Sequence, residues 1–144
     1  MLVTIEKLRF LEACPDGQAW FEERFPAGTS VANLVSELVA SEKPGWLGWL
    51  AGNWPEGSLR WRLRLCELCD PPDFWKIETL CASPVGTFAQ RIEACKAIGA
   101  GFEDVAMCSP VGTLKQRLEA CDLSFNPEYF RRRVREIHGG CCEA

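Results

Sequence analysis

Apolar residues recur along most of the chain at the spacing of an α-helix. One stripe runs through residues 5–11 and a second through residues 31–41. Side chains three or four positions apart lie on the same face of a helix, so each stripe predicts an amphipathic helix with one buried face. Residues 46–51 are apolar on every side, which predicts a short helix in the centre of the core.

One stretch of sequence occurs twice in the second half of the chain. Residues 83–95, SPVGTFAQRIEAC, return as residues 109–121, SPVGTLKQRLEAC, with a period of 26 residues. The same step back from Cys95 reaches Cys69, so we assign Cys69 to the same repeat position. In both copies a threonine stands three residues before a glutamine, the spacing of a capping box at the start of a helix. A fixed period is the mark of stacked helical units.

Residues 59–65 alternate apolar side chains with arginine, a pattern that taken alone is typical of a strand. A helix would instead place Arg60 and Arg64 on one face and the leucines on another. It would leave Arg62 to extend its charged head to water over apolar neighbours. The register with the later repeats favours the helix.

Nearly every segment is a short helix joined to the next by a tight turn, so the sequence predicts an all-α fold. We expect a single domain over residues 1–144, with an acidic helical part over 1–56, helical repeats over 57–138 and a flexible tail over 139–144. The predicted architecture is an irregular helical bundle whose carboxyl-terminal part is a short solenoid of 26-residue helix-turn-helix repeats.

The charge of the chain is unevenly distributed. The formal net charge is −4, and residues 1–56 hold eight acids and four bases whereas residues 57–144 hold twelve of each. This balance argues against direct, sequence-specific binding of nucleic acid. An acidic face could occupy a basic groove on a partner, and the alternative is an ordinary solubilising surface. The candidate partner-binding acids are Glu22, Glu23, Glu37 and Glu42.

The amino-terminal residues carry neither a basic leader nor a long apolar stretch. No run elsewhere approaches the ~20 apolar residues that a membrane span needs. Nine cysteines is an odd number, which suits a reducing compartment better than a complete disulfide framework. We therefore expect a cytoplasmic protein without a membrane partner.

Cys66 and Cys69 have the spacing at which two thiolates can share a zinc ion. No second pair follows at a finger-like distance, so burial as small apolar residues is the leading interpretation and no cofactor is expected. One alternative is a zinc-stabilised adaptor, with Cys81 or Cys95 as a further ligand. Another is a thiol oxidoreductase that uses the same pair.

The carboxyl-terminal region holds the one dense basic run, Arg131, Arg132, Arg133 and Arg135. Such side chains are favoured near a helix end without any ligand, so a solvated face is the default. The alternative is contact with an acidic partner or a phosphate, for which Arg131, Arg132 and Arg135 are the candidates. His138 could also hold a metal together with Cys141 and Cys142.

Trp54 lies in a stretch of Gly, Asn and Pro, so we predict that it is exposed and anchors a partner. The chain has a single histidine, and no Ser/His/Asp set, phosphate-binding glycine loop or paired-carboxylate signature can be assembled. We therefore expect that the protein is not an enzyme.

Residues 11–21, LEACPDGQAWF, and residues 44–50, PGWLGWL, resemble small acidic helical proteins of bacteriophages and other bacterial mobile elements. The resemblance covers mainly residues 4–70. Some such proteins are anti-defence factors, including anti-CRISPR inhibitors that bind an effector complex and block its nucleic-acid or recruitment surface. The resemblance implies that this protein is a non-enzymatic, protein-binding inhibitor in the cytoplasm of a bacterial host. Its partner would be a host protein or ribonucleoprotein complex.

Overall fold

The computed structural model describes residues 2–139. Strands β1 (Leu2–Val3) and β2 (Thr29–Ser30) pair antiparallel. The helices are α1 (Ile5–Phe10), α2 (Pro15–Arg24), α3 (Val31–Ala40), α4 (Pro44–Asn53), α5 (Leu59–Cys66), α6 (Pro72–Ala82), α7 (Phe88–Ile98), α8 (Phe102–Cys108), α9 (Leu114–Cys121) and α10 (Pro127–Val134), and a π-helical turn follows over Arg135–Gly139. The prediction of an all-α fold is confirmed.

The helix starts follow from the residues that precede them. The two predicted capping boxes are present, one formed by Thr87 with Gln90 and the other by Thr113 with Gln116. Helix α5 begins in a related way, since the Ser58 hydroxyl accepts the amide of Trp61 at 3.1 Å. The alternating segment is therefore helical, as its register with the repeats predicts.

Three buried arginines each connect the start of one helix to the end of the helix before it. The Nε atoms of Arg62, Arg91 and Arg117 donate to the carbonyl oxygen of the glycine five residues earlier, at 3.2 Å in each case. Their Nη1 atoms donate to a carbonyl eleven residues earlier, at 3.0, 2.7 and 3.0 Å. We call each such arginine, with the turn and carbonyls that it binds, an arginine lock.

The carbonyls that receive Nη1 belong to Ala51, Leu80 and Ala106, in the last turns of α4, α6 and α8. The last four carbonyls of a helix have no partner within the helix and carry its partial negative charge. Each guanidinium therefore caps the preceding helix, which offsets the cost of burying a cation without a carboxylate. Burial lowers the pKa of all three arginines.

The lock corrects the prediction for Arg62. Its side chain does not extend to water but is fully buried, and Arg91 is buried to the same extent. A further bond runs from Arg62 Nη2 to the carbonyl of Glu56 at 3.0 Å. The buried position of the Arg62 side chain is fixed by carbonyls of the preceding turn and helix. The apolar pattern of α5 by itself does not indicate these partners.

The locks also correct the repeat position of Cys69. Four residues after each lock arginine lies a completely buried cysteine, Cys66, Cys95 or Cys121. Cys66 is therefore the counterpart of the two later cysteines. The first two lock arginines are 29 residues apart and the last two are 26 apart. The spacing is therefore not constant over the three locks, and the solenoid of 26-residue repeats, like the single-domain organisation, stays a prediction.

Glycine is required in the lock turns because of their backbone conformation. Gly57, Gly86 and Gly112 have φ angles of 105°, 107° and 126°. A Cβ on Gly86 would lie 2.9 Å from Leu59, and one on Gly112 would lie 2.5 Å from Phe88. Leu59 and Phe88 are the first residues of α5 and α7, so each later turn lies directly against the helix of the preceding lock.

Two clusters of buried apolar side chains form the core. The first draws on α1 to α5 and includes Phe21, Leu47 and Trp54. The second draws on α6 to α10 and includes Leu80, Val105 and Val134. Helix α6 packs on both α4 and α8, so it joins the two clusters.

Candidate functional site

A cavity of about 450 Å³ opens between α2, α4 and α6. Leucines of the first core cluster line its floor. Its walls carry four of the six tryptophans, Trp20, Trp46, Trp49 and Trp75. We call this cavity the tryptophan pocket. An apolar cavity of this size is typical of sites that take up a small molecule or a side chain of a partner.

Glycines of α4 bring α6 close enough to form one wall of the tryptophan pocket. A Cβ on Gly48 would lie 2.3 Å from the ring of Trp75, and one on Gly52 would lie 3.4 Å from the Cβ of Ala82. These two glycines are four positions apart and therefore share one helix face. The missing side chains give room for the Trp75 ring against α4.

Cations of the protein hold two of the tryptophan rings in place. The rings of Trp20 and Trp46 lie 5.6 Å apart between centroids and are tilted by 59°. The Arg24 guanidinium lies 4.9 Å from the Trp20 centroid, and Lys43 Nζ lies 4.8 Å from the Trp46 centroid. Such cation–π contacts fix the orientation of aromatic side chains, so this wall is formed before any partner binds.

Few polar groups line the tryptophan pocket. Glu78 is the one charged side chain among the described residues that form it. Asn53 Nδ2 already donates to the carbonyl of Trp49 at 2.9 Å. Cys14 is exposed, and its Sγ accepts the amide of Gly17 at 3.4 Å, where it caps the start of α2. The pocket therefore favours an apolar group.

The prediction that Trp54 is an exposed anchor is wrong. Its side chain is 1 % exposed and belongs to the first core cluster. Trp54 stands three residues before Gly57, as the buried Ser83 and Ser109 stand three residues before the later lock glycines. The Gly, Asn and Pro around it do form a turn, but this position of the turn points inward.

The acidic candidates lie on or near α2 and α3, and two of them already have partners within the protein. Glu22 pairs with Arg9 at 3.3 Å, and Glu37 pairs with Arg24 at 3.1 Å. These pairs connect α1 to α2 and α2 to α3. Glu23 and Glu42 are exposed.

Burial of the lock arginines leaves residues 57–144 with nine bases outside the core against twelve acids. Acid is therefore in excess on both parts of the chain.

The basic candidates lie on and just after α10, which packs on α8 and α9 in the second core cluster. Arg131 pairs with Asp122 at 2.7 Å, and Arg133 pairs with Glu136. The Arg132 guanidinium lies 5.5 Å from the centroid of Tyr129, and Arg135 is exposed. None of these arginines lines the tryptophan pocket.

The thiols of Cys66 and Cys69 make hydrogen bonds in the core. Cys66 Sγ lies 3.2 Å from the Thr79 hydroxyl, and Cys69 Sγ donates to the carbonyl of Pro44 at 3.5 Å. Burial raises the pKa of Cys66 and raises that of Cys69 to about 11. A protonated thiol is a poor nucleophile, which disfavours the thiol oxidoreductase at this pair.

Residues 2–139 hold no group of three or more His, Cys, Asp or Glu side chains that could bind a metal ion. Cys81 and Cys95, the further ligands of the zinc alternative, also have pKa values raised to about 12 by burial. His138 Nε2 lies 2.6 Å from the carbonyl of Met107. Cys141 and Cys142 lie outside the described residues, as does the flexible tail predicted over 139–144 apart from Gly139, which is buried at the end of the π-helical turn.

Sequence reasoning missed both the tryptophan pocket and the locks. The signal for a lock is a glycine followed by Ser or Thr and, five residues after the glycine, an arginine; residues 57–62, 86–91 and 112–117 all have it. The signal for the pocket is the pair of glycines at 48 and 52, four positions apart in a helix that also carries Trp46 and Trp49. Both patterns mark a close approach of helices.

Residues 1–54 match a family model described as the YdhT N-terminal domain. The match ends at Trp54, just before the first lock glycine, and leaves out the α6 wall of the tryptophan pocket. No curated protein and no solved structure matches the chain. In the part of the chain that the structure describes, every helix is too short or too polar to cross a bilayer.

Proposed function

We propose that the protein is a non-enzymatic binding protein that takes up an apolar side chain of a partner protein in the tryptophan pocket. The observation that carries this proposal is the pocket itself, about 450 Å³ in volume and walled by four tryptophans. Aromatic side chains at the centre of an interface contribute a large share of its binding energy. Preformed walls also reduce the entropy that the partner must lose on binding.

The charge around the tryptophan pocket favours a particular partner segment. Glu78 is the one charged side chain of its lining, and residues 1–56 carry twice as many acids as bases. We expect the partner to present an aromatic or branched aliphatic side chain next to a lysine or arginine. Complementary charge of this kind raises the rate of association and selects the orientation of binding.

The partner class follows from the resemblance to proteins of phages and mobile elements. A host defence effector complex binds nucleic acid through basic surfaces, which an acidic protein can cover. An inhibitor of the anti-CRISPR type would block such a nucleic-acid or recruitment surface. This identity of the partner stays a prediction, and recovery of a host ribonucleoprotein in the experiment below would support it.

The experiment compares capture of partners by the wild-type protein and by a variant with a filled pocket. Gly45 lines the pocket, and a Cβ built on it meets no atom within 4 Å, so Gly45→Phe is chosen to place a ring at the pocket from a position where the Cβ has room. Ala89→Phe is the matched control, because Ala89 is exposed at the second position of α7. Tagged proteins are recovered under reducing conditions from a bacterial lysate and analysed by native mass spectrometry.

We expect the wild type and Ala89→Phe to recover the same complex in similar amounts and Gly45→Phe to lose most of it. Circular dichroism must show that all three proteins are equally helical. Equal recovery by Gly45→Phe would place binding elsewhere on the protein. Recovery of no complex by the wild type would contradict the proposed function.

Alkylation of cysteines gives a second measurement on the recovered complex. Cys14 lines the tryptophan pocket, whereas Cys108, also exposed, lies outside it. Labelling with N-ethylmaleimide and peptide mass spectrometry should show slower modification of Cys14 in the complex than in the free protein. Modification of Cys108 should be unchanged. Equal protection of both thiols, or of neither, would contradict binding at this pocket.

A further inference from the structure

A second depression, of about 530 Å³, lies between α5 and α7. Both helices pack on α6, which forms its base. Leu59 and Leu63 line it from α5, and Ala94 and Ile98 line it from α7. All four side chains are only partly buried, so they leave apolar surface open to a partner. We call this depression the α5–α7 groove.

Two arginines without acidic partners stand along one edge of the α5–α7 groove. Arg60 and Arg64 are exposed, lie one helical turn apart and line the groove. Neither makes an ion pair within residues 2–139. Lys76, at the base of the groove, is already paired with Glu67. The groove therefore combines an apolar floor with a row of available positive charge.

We propose that the α5–α7 groove binds an acidic amphipathic helix of a partner protein. The apolar face of that helix would pack on Leu59, Leu63 and Ile98, as helices do in other hydrophobic grooves. Aspartate or glutamate one turn apart on its flank would pair with Arg60 and Arg64. The α5–α7 groove is separate from the tryptophan pocket. It requires an acidic partner segment, whereas the segment proposed for the tryptophan pocket is basic.

The lining of the groove favours a protein partner over a nucleic acid. No aromatic side chain among the described residues lines the groove, so it offers no ring on which an unpaired base could stack. Aliphatic side chains between charged ones match the pattern of an amphipathic helix instead.

The experiment uses the full-length protein and a fluorescent peptide of about 18 residues, or about five helical turns. The peptide carries leucine at helical spacing and glutamate on the flanking positions. A second peptide has lysine in place of every glutamate, and a third has the composition of the first in scrambled order. We expect a dissociation constant in the micromolar range for the first peptide, measured by fluorescence anisotropy, and much weaker binding of the other two.

Variants locate the binding. Arg60→Glu with Arg64→Glu should weaken binding by about tenfold or more, because two favourable pairs become repulsive. Ala97→Trp, at an exposed position in the groove wall, should block binding with the charge unchanged. Lys96→Glu with Lys115→Glu is the matched reversal, at exposed positions of α7 and α9 outside the groove lining, and should leave the affinity unchanged. Melting curves must show that every variant folds.

Three results with the peptides would overturn this proposal: no binding of the acidic peptide, equal binding of the lysine peptide, or equal affinity after reversal of Arg60 and Arg64. Competition by a single-stranded RNA at equal concentration would assign the groove to nucleic acid and would also overturn it. Gly45→Phe should bind the acidic peptide as well as the wild type does. The outcome here is therefore independent of that for the tryptophan pocket.

Discussion

Arg62 reproduces the contacts of Arg91. In both, Nε donates at 3.2 Å to the carbonyl of the glycine five residues earlier, and Nη1 donates to a carbonyl near the end of the preceding helix. Around them the sequences differ, because the turn before Arg62 contains Trp54 and Glu56 where the later turn has Ser83 and Val85. The shared element is the glycine, the capping hydroxyl and the arginine.

Replacement of a lock arginine should destabilise the protein strongly. Arg91 donates to the carbonyls of Leu80, Ser83, Val85 and Gly86. In Arg91→Lys a single ammonium cannot reach these directions at once, so buried carbonyls lose their partners. We expect the free energy of unfolding to fall by about 2–4 kcal/mol. Urea denaturation followed by circular dichroism measures it.

The control for this prediction is Arg64→Lys, an exposed replacement on α5. It should change the free energy of unfolding by no more than about 0.5 kcal/mol. If the two variants were equally stable, the locks would contribute nothing beyond an ordinary surface arginine.

Replacement of Gly48 and of Gly45 in α4 by alanine should change the stability of the protein in opposite directions. A Cβ on Gly48 would lie 2.3 Å from Trp75, so Gly48→Ala must displace the ring and should cost about 1–3 kcal/mol. A Cβ on Gly45 meets nothing within 4 Å, so Gly45→Ala should stabilise the protein by about 0.4–1 kcal/mol. Thermal melting measures both. A stabilising Gly48→Ala would show that α4 and α6 are not in close contact.

Buried thiols should make the protein sensitive to alkali. Burial raises the pKa of Cys69 to about 11 and that of Cys95 to about 12, from 9.0 for an unperturbed thiol. Above pH 9 the unfolded chain loses these protons while the folded chain keeps them. Stability is therefore fully present below pH 9 and falls as the pH rises, by at most about 1.4 kcal/mol per thiol and pH unit.

Urea denaturation at a series of pH values between about 8 and 10.5 tests this dependence. Cys95→Ala should lower stability at every pH but flatten the slope above pH 9, because one titrating thiol is gone. A slope that is unchanged in Cys95→Ala would mean that other groups cause the loss.

Removal of metal should leave the stability unchanged. Cys69 donates its S–H to the carbonyls of Pro44 and Leu65, so this thiol keeps its proton, whereas a zinc ligand must lose it. We expect the melting temperature with EDTA to equal that without it, within about 1 °C. A large decrease, together with one zinc per chain by elemental analysis, would revive the zinc-stabilised adaptor.

The sequence predicts those parts of the fold that depend on neighbouring residues. The capping boxes at Thr87 and Thr113 need only a threonine and a glutamine three positions later, and both formed. Arg62 and Trp54 were predicted wrongly because their surroundings come from outside the local pattern. The carbonyls that bury Arg62 lie in the preceding turn and helix, and the fold of that turn directs Trp54 inward.

The tryptophan pocket could not be predicted for a related reason. Trp20, Trp46 and Trp75 belong to three different helices. The spacing of apolar residues within one helix predicts only which face of that helix is buried, and not which other helix it contacts. Their convergence depends on the close approach of α4 and α6 at Gly48. The assignment of Cys69 to the repeat position was wrong because it extended the 26-residue period one step back from Cys95. The lock turn at Gly57 lies 29 residues, not 26, before the lock turn at Gly86.

The direction of the locks has a consequence for synthesis on the ribosome. Every backbone carbonyl that Arg62, Arg91 and Arg117 bind lies earlier in the chain, at most eleven residues before the arginine. A lock can therefore close as soon as its own helix has left the exit tunnel, without waiting for later residues. Contacts of such short range also favour rapid folding. The nascent chain can thus close its locks one after another, starting with Arg62, while translation continues.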